Sequence, residues 1–499
     1  MDGKAKVSPC LMVQRFQSLR DDAMKKIVIL GGGISGLAAA FYLQEFAGDA
    51  VDITLIDSAA RLGGKIISAQ EADFVIEGGP DSFITQKTAG LDLCRALGLE
   101  DALIGSSRAK HPTYVWSRGR LHPMPEGMML MAPTMMLPFL RSRLISWPGK
   151  ARMGMEVLIP RRNDDADESL ASFVRRRLGA EALEKIAAPL MAGIHAADPE
   201  RLSLQSTFPR FVEMEKQYGS LLRGIMQRSR ARRHVHARAG APPPHSPMFQ
   251  TLRGGLQQLV DALAARLHLS TLLLNCRVLD VTREHGQYRI ALSEGSRILA
   301  DEIIFATPAY VTADWMQGMD SALASKLRSI RYVSTATVSL GYKREDVPHP
   351  LDGHGFVVAH NEKRSITACS WSSEKFKHRA PAGSVLLRVF VGGARAESLA
   401  EQDEDALAQM AQQELRVTMG ITASPIFTKV YRWHKGNPQY EVGHAALVAE
   451  MDRLAAGHEG LHLAGAAYDG AGIPDCIQRS IKVAQRIASE CSMNRKEAV

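Results

Sequence analysis

Lys26-Ile27-Val28-Ile29-Leu30-Gly31-Gly32-Gly33-Ile34-Ser35-Gly36 decides the fold. Ile27–Leu30 is an unbroken apolar run of strand length, as expected for a parallel strand buried on both faces. It ends in Gly-x-Gly-x-x-Gly, and a helical pattern runs on from Ile34 to about Phe46. A second apolar strand, Val51 to Ile56, ends at Asp57, which lies 21 residues beyond Gly36. Strand, glycine turn, helix, strand and acid make a βαβ opening that binds a dinucleotide. Gly31 allows the tight turn, Gly33 lets backbone N–H groups approach a pyrophosphate, and Gly36 lets helix and strand pack closely. Ile34 and Ser35 open the helix, whose positive dipole end faces the phosphates. Asp57 stands where a carboxylate takes a ribose hydroxyl.

This element alone does not separate nicotinamide from flavin. Arg61-Leu62-Gly63-Gly64-Lys65 follows Asp57 directly, where a nicotinamide enzyme would continue into its next helix. It resembles the second flavin signature of the amine-oxidase-like superfamily, in which paired glycines let the chain wrap the cofactor. Glu77-Gly78-Gly79-Pro80-Asp81-Ser82-Phe83 is a third glycine turn, with Pro80 fixing its course. Near the other end, Leu463-Ala464-Gly465 leads through Gly470-Ala471-Gly472 into Ile473-Pro474-Asp475-Cys476. Pro474 suits the first turn of a helix, where a missing N–H is harmless. A second helix N-terminus aimed at a flavin stabilises negative charge on the reduced ring.

Taken together, these segments resemble the protoporphyrinogen/coproporphyrinogen III oxidases, in their soluble bacterial form. Leu121-His122-Pro123-Met124-Pro125, Gly193-Ile194-His195-Ala196-Ala197-Asp198-Pro199, Thr367-Ala368-Cys369-Ser370-Trp371 and Pro438-Gln439-Tyr440 resemble family blocks between the cofactor motifs. The likeness runs from about Lys25 to Ala488. It implies non-covalent FAD, held by Gly31, Gly33, Ile34, Ser35, Gly36, Asp57, Arg61, Gly63, Gly64, Lys65, Gly78, Gly79, Pro80, Asp81, Val278, Trp433, Gly465, Gly472, Ile473 and Pro474. It implies a flat apolar substrate pocket with Gly193, Gly355, Phe356, Val357 and Phe390 as candidates. The implied reaction oxidises coproporphyrinogen III, protoporphyrinogen IX or both, passing six electrons to three O2 with release of three H2O2. No protein residue is assigned as catalytic. His195 and His444 read as structural histidines. The alternative is another amine-oxidase-like flavin oxidase or a desaturase, but an amine oxidase needs an aromatic cage and only Tyr468 presents itself.

One segment departs from the family pattern. Mitochondrial and plastid members carry an arginine, for a substrate propionate, ahead of the strand before the His-Pro block. Here the stretch reads Lys110-His111-Pro112-Thr113-Tyr114-Val115-Trp116, with no arginine. The gap points towards coproporphyrinogen III, which carries four carboxylates.

The expected architecture is α/β (α+β overall). A Rossmann-type FAD-binding domain is assembled from segments 24–95, 251–310 and 430–499. A mixed-sheet substrate domain covers 96–125 and 311–429. A helical subdomain, 126–227, carries a Met-rich stretch, Met128–Leu140, that reads as core, as a substrate wall or as a membrane-surface patch. A basic, Pro-rich loop spans 228–250, and 1–23 is an N-terminal tail.

Composition narrows the class. With 499 residues, 45% hydrophobic and 23% charged, the chain is long enough for two or three cores. The net charge of +8 is concentrated in part at Arg228, Arg230, Arg232, Arg233 and Arg238. No aromatics interleave with that run, so no nucleic-acid partner is read. The six cysteines are scattered without a Cys-x-x-Cys pair, so neither a disulfide framework nor a metal site is expected. No stretch reaches the roughly 20 apolar residues of a membrane span. A cytoplasmic enzyme is expected, with weak contact to the inner membrane face, a homodimer and a downstream chelatase left open as partners.

Overall fold

The computed structural model describes residues 11–15, 24–107, 112–129, 131–227 and 247–497. Lys110, His111, the arginines of the basic loop, the Pro242–Pro244 run and most of the tail lie outside the described residues.

Lys25–Leu30 sits at the centre of a six-stranded sheet. The order is Leu11–Arg15, Thr271–Leu274, Val51–Ile56, Lys25–Leu30, Glu302–Phe305 and Leu461–Leu463. The last five strands are parallel, with Leu30 in register with Ile56 on one side and Phe305 on the other. Leu11–Arg15, expected as tail, instead pairs antiparallel with Thr271–Leu274 at the sheet edge. The apolar run is continuous because both faces are covered. Ile27 and Ile29 pack with Leu37 and Phe41 of the helix Ile34–Ala47 and with Ile477 and Ile487 of the last helix, Ile473–Glu497. Val28 and Leu30 pack on the other side with Phe305, Ile290 and Ala309.

The second sheet has seven strands and carries both strand directions. Its order is Phe427–Pro438, Tyr332–Lys343, Ser384–Gly392, Ala368–Trp371, Gly355–Val358, Thr113–Ser117 and Arg120–Pro123. Only Gly355–Val358 and Thr113–Ser117 run parallel. Its outer face packs on Glu404–Met419, whose N-cap Asp403 accepts from the N–H of Ala406 at 2.8 Å. The segment Lys110–Arg162 shows little periodicity in sequence, yet it supplies the last two strands of this sheet and the helices Met136–Arg141 and Trp147–Gly154. Short amphipathic pieces that lean on a larger body carry too few turns to show a period.

The helices between Met136 and Tyr218 pack around Phe173, Ile186 and Phe211 and lean on Val115, Val357 and Ala368 of the second sheet. Ala180–His195 is continuous, with a π-helical turn at Leu183–Ala187. The group is tied by a fully buried ion pair, Arg177 Nη2 to Glu156 Oε1 at 2.6 Å. Glu156 also accepts from Ser220 Oγ and from the N–H groups of Leu221 and Leu222, while Arg177 donates to the carbonyls of Ile159 and Gly219. Every charge is compensated, so removing one partner strands the other. Glu156→Ala should therefore cost about 3–5 kcal/mol of stability. Urea denaturation followed by circular dichroism reads this directly, and a loss below 1 kcal/mol would contradict the assignment.

Candidate functional site

The four glycine motifs, spread from residue 31 to 472, meet at the carboxyl ends of the parallel strands. Gly31 has φ +110°, and a Cβ there would fall 2.9 Å from the carbonyl oxygen of Ala306. A Cβ on Gly36 would fall 1.9 Å from the carbonyl oxygen of Gly31, so helix and strand touch backbone to backbone. Gly33 differs: the nearest atom to its Cβ position is Gly64 Cα at 3.9 Å. The first and third glycines are filled by protein, and the second faces open space at a helix N-terminus, which is what a pyrophosphate requires.

The Arg61–Lys65 turn closes on this loop. Gly63 donates its N–H to the Gly32 carbonyl at 2.8 Å, and Gly63 and Gly64 both have positive φ. Arg61 points inward, donating to the carbonyls of Leu62, Ile66 and Gly64. It braces the turn through Nη1 and Nη2. Asp57 Oδ2 accepts from the N–H of Gly32 at 2.6 Å, and Oδ1 from that of Ala59 at 2.7 Å. Cys276 donates its N–H to the Asp57 carbonyl at 3.0 Å, which brings Val278, the start of the next strand, to the same end of the sheet.

At the other end of the chain, a Cβ on Gly465 (φ +129°) would lie 3.7 Å from the carbonyl oxygen of Thr307. Thr307 therefore stands between Gly31 and Gly465. Gly472 caps the helix Ile473–Glu497, accepting from the N–H groups of Asp475 and Cys476 at 3.0 Å. Ser480 Oγ of that helix reaches the Ser35 carbonyl at 2.8 Å, so the two helix N-termini lie side by side. Pro474 sits in the first turn, and the Ile473 side chain is buried in the core. Burial pushes the Cys476 thiol up to about 11, which leaves it an inert protonated thiol.

The inner face of the second sheet lies over the Glu77–Phe83 turn. Cross-strand register aligns Val115, Val357, Ala368, Phe390, Thr337 and Tyr431 in one row. Gly193, on Ala188–His195, faces this row: a Cβ there would come 3.4 Å from Val357 Cγ1 and 3.8 Å from Ala368 Cβ. Gly193, Val357 and Phe390 thus belong to one wall. Phe356 does not. Side chains alternate along a strand, so Phe356 turns to the outer face and is buried with Trp371 and Leu415. Gly355 is also explained differently: its Cβ would sit 2.2 Å from the carbonyl oxygen of Cys369, so the neighbouring strand forbids a side chain there.

The Glu77–Ser82 turn is held by charge. Trp433 spends its indole N–H on the Gly78 carbonyl at 2.9 Å, so it supports the turn and does not offer that donor to a ligand. Asp81 pairs with Lys375 Nζ at 2.8 Å. Burial alone would raise the Asp81 pKa, but Lys375 and Arg388 outweigh it and hold the carboxyl well below the usual range. Lys65 donates to the Gly436 carbonyl, and burial lowers its pKa. Arg388 and Thr337 also bind this turn, and neither is singled out by a sequence motif. The available signal is a cation at an inward position of an otherwise apolar strand, Val385 to Val391. His195 is half-buried, edge-on to Phe208 at 5.8 Å; burial lowers its imidazole pKa to about 4, so it is neutral near pH 7. His444 stacks on Tyr440 at 4.3 Å and meets the Tyr468 carbonyl through Nε2, a structural role.

These contacts leave the space beside Gly33 as the place where a side chain would intrude on a bound pyrophosphate. Gly33→Val should abolish the yellow colour of the purified protein and its release of FAD on denaturation. Absorbance at 450 nm and chromatography of the released flavin check this, and a folded, fully flavinated variant would show that another segment binds the phosphates.

Comparison with known proteins agrees with this geometry. A family model described as flavin containing amine oxidoreductase matches residues 34–488. The coproporphyrinogen III oxidase of Bacillus subtilis (strain 168) is 36% identical over 462 residues, covering 92% of this chain and 97% of that protein. The coproporphyrinogen III oxidase of Staphylococcus aureus is 32% identical, covering 93% and 99%. A crystal structure from Exiguobacterium sp. 255-15, provisionally named a protoporphyrinogen oxidase, superposes with a TM-score of 0.82 at 33% identity, covering 93% of this chain and 99% of that one. The chain belongs to the flavin-containing amine oxidoreductase family, and its cofactor is FAD.

Proposed function

We propose that this protein oxidises a porphyrinogen to the corresponding porphyrin in haem biosynthesis, with O2 as final electron acceptor. The observation that carries the reading is the wall of Gly193, Val357, Ala368 and Phe390 facing the glycine turns. It is apolar and built from small or planar side chains, which suits a large apolar ring. Near-full-length likeness to coproporphyrinogen III oxidases supports the same substrate class.

FAD, when bound, accepts two electrons from the substrate and passes them to O2, in three rounds. The chain binds, orients and excludes water. Gly31, Gly33, Ile34, Ser35 and Gly36 take the pyrophosphate, with Gly63 and Gly64 closing over it. Asp57 and Val278 serve the adenosine end. Gly78, Gly79, Pro80 and Asp81 serve the ring end, with Lys65, Gly465, Gly472, Ile473 and Pro474. His195 is neutral near pH 7, and no protein residue is assigned as an acid or base. The six electrons leave with six hydrogens, balanced by three O2 becoming three H2O2.

Two finer features complete the proposal. Among the described residues no helix is long and apolar enough to cross a membrane. Met135, Met136, Leu137, Leu140, Trp147, Met155 and Leu158 are nevertheless exposed on neighbouring helices, with Arg141 and Arg143 between them. This surface suits weak attachment of a cytoplasmic enzyme to an anionic leaflet, and a downstream chelatase is a partner consistent with a porphyrin product. The protein should sediment with anionic vesicles at low salt and be released at high salt. Attachment that needs detergent would contradict this.

The missing arginine near Lys110 removes one contact for a dicarboxylate macrocycle, so coproporphyrinogen III is the preferred substrate. Its kcat/KM should equal or exceed that for protoporphyrinogen IX. One charged contact contributes about 1.5–3 kcal/mol, which sets the ratio at up to roughly a hundredfold. Anaerobic flavin bleaching with each porphyrinogen, then steady-state rates, tests both parts. Absence of bleaching by either would end the porphyrinogen reading, and a strong preference for protoporphyrinogen IX would end the substrate assignment.

A further inference from the structure

We propose that Arg388 is a positioning residue of the flavin site: it turns the Gly78–Gly79 peptide towards the cofactor and keeps a positive charge beside the ring, easing reduction. The proposal rests on the FAD reading and adds a residue that no motif contains.

Arg388 stands in the middle of Ser384–Gly392. Val385, Leu387, Val389 and Val391 pack into the outer core, while Leu386, Arg388 and Phe390 occupy the inner face. A guanidinium that is 3% exposed at the centre of a strand is costly and calls for a reason. Its Nη2 donates to the carbonyls of Gly79, at 2.5 Å, and Gly78, at 3.2 Å. The Gly78 oxygen also accepts from Thr337 Oγ1 at 3.2 Å and Trp433 Nε1 at 2.9 Å. Three donors on one carbonyl fix its direction. A trans peptide is planar with C=O and N–H opposed, so the N–H of Gly79 points away from the sheet. Gly79 also lies tight on the flavin turn, for a Cβ there would fall 1.8 Å from the Lys65 carbonyl oxygen. The turn is thus clamped between the sheet and the Gly63–Lys65 loop, with its donor edge turned off the sheet.

The charges around the turn do not cancel. Lys375 pairs with Asp81, and Arg379 meets Glu77 at 3.3 Å. Arg388 is a third cation facing the same two carboxylates, with its guanidinium 5.0 Å over the Phe390 ring and its buried Nε without a partner. One net positive charge therefore remains in a low-dielectric setting, where it favours a ring that gains electrons.

The test uses full-length protein refilled with FAD. Arg388→Met should bind FAD at least tenfold more weakly. Its two-electron midpoint potential should fall by about 30 mV, a tenfold change in the reduced-to-oxidised ratio. Arg388→Lys keeps the charge but loses the fork, so the potential should hold while affinity falls. A wild-type potential in Arg388→Met, or an equal fall in Arg388→Lys, overturns the proposal. If Arg388→Met does not fold, Arg388→Lys and Thr337→Val decide. Thr337→Val removes an uncharged donor to the same carbonyl and should weaken FAD without moving the potential. Unchanged affinity in Arg388→Lys, or a moved potential in Thr337→Val, is equally fatal. A wild-type chain that takes up no FAD would instead overturn the cofactor reading itself.

Discussion

Backbone meets backbone where Gly36 lies against the Gly31 carbonyl, leaving no room for a side chain. That contact brings the first helix down onto the end of the central strand and aims its N-terminal amides at one point. The sheet is built around this strand, whose two faces anchor two separate cores. The last helix is held beside the first through Ser480 and Ser35, so the N-termini of the two helices lie side by side. Tight packing at Gly31 and Gly36 and open space at Gly33 are two sides of one requirement: a bare phosphate-binding backbone must be rigid without being filled.

A second constraint is electrostatic. Charges in this protein are buried in two ways. Arg177 and Glu156 neutralise each other, with Ser220, the N–H groups of Leu221 and Leu222 and the carbonyls of Ile159 and Gly219 engaged around them, which stabilises the helical group. The set around Glu77 and Asp81 is paired unequally and lies on the glycine turn that the second sheet covers.

The first strand, the first helix, Val51–Ile56, Glu302–Phe305 and the capped helix after Asp403 were legible because each carries its own period and its own punctuation. The glycine motifs were legible for the same reason: their spacing follows from backbone geometry within a few residues. Residues 110–162 were not, because their strands are short and their helices lean on a neighbouring body. Phe356 and Arg388 show the other limit. A strand shows which residues alternate, but not which face looks at the ligand.

By itself the sequence determined the βαβ opening, the need for FAD at four glycine turns and the membership of a porphyrinogen-oxidising lineage. All of these rest on local spacing or on stretches read in order. Only the tertiary structure decided that Val357 and Phe390 share a wall while Phe356 faces away, that Trp433 braces the Gly78 turn from within, and that Arg388 sits beneath Gly78. Those facts depend on cross-strand register and on contacts between residues hundreds of positions apart, and register is set by the packing of the whole sheet.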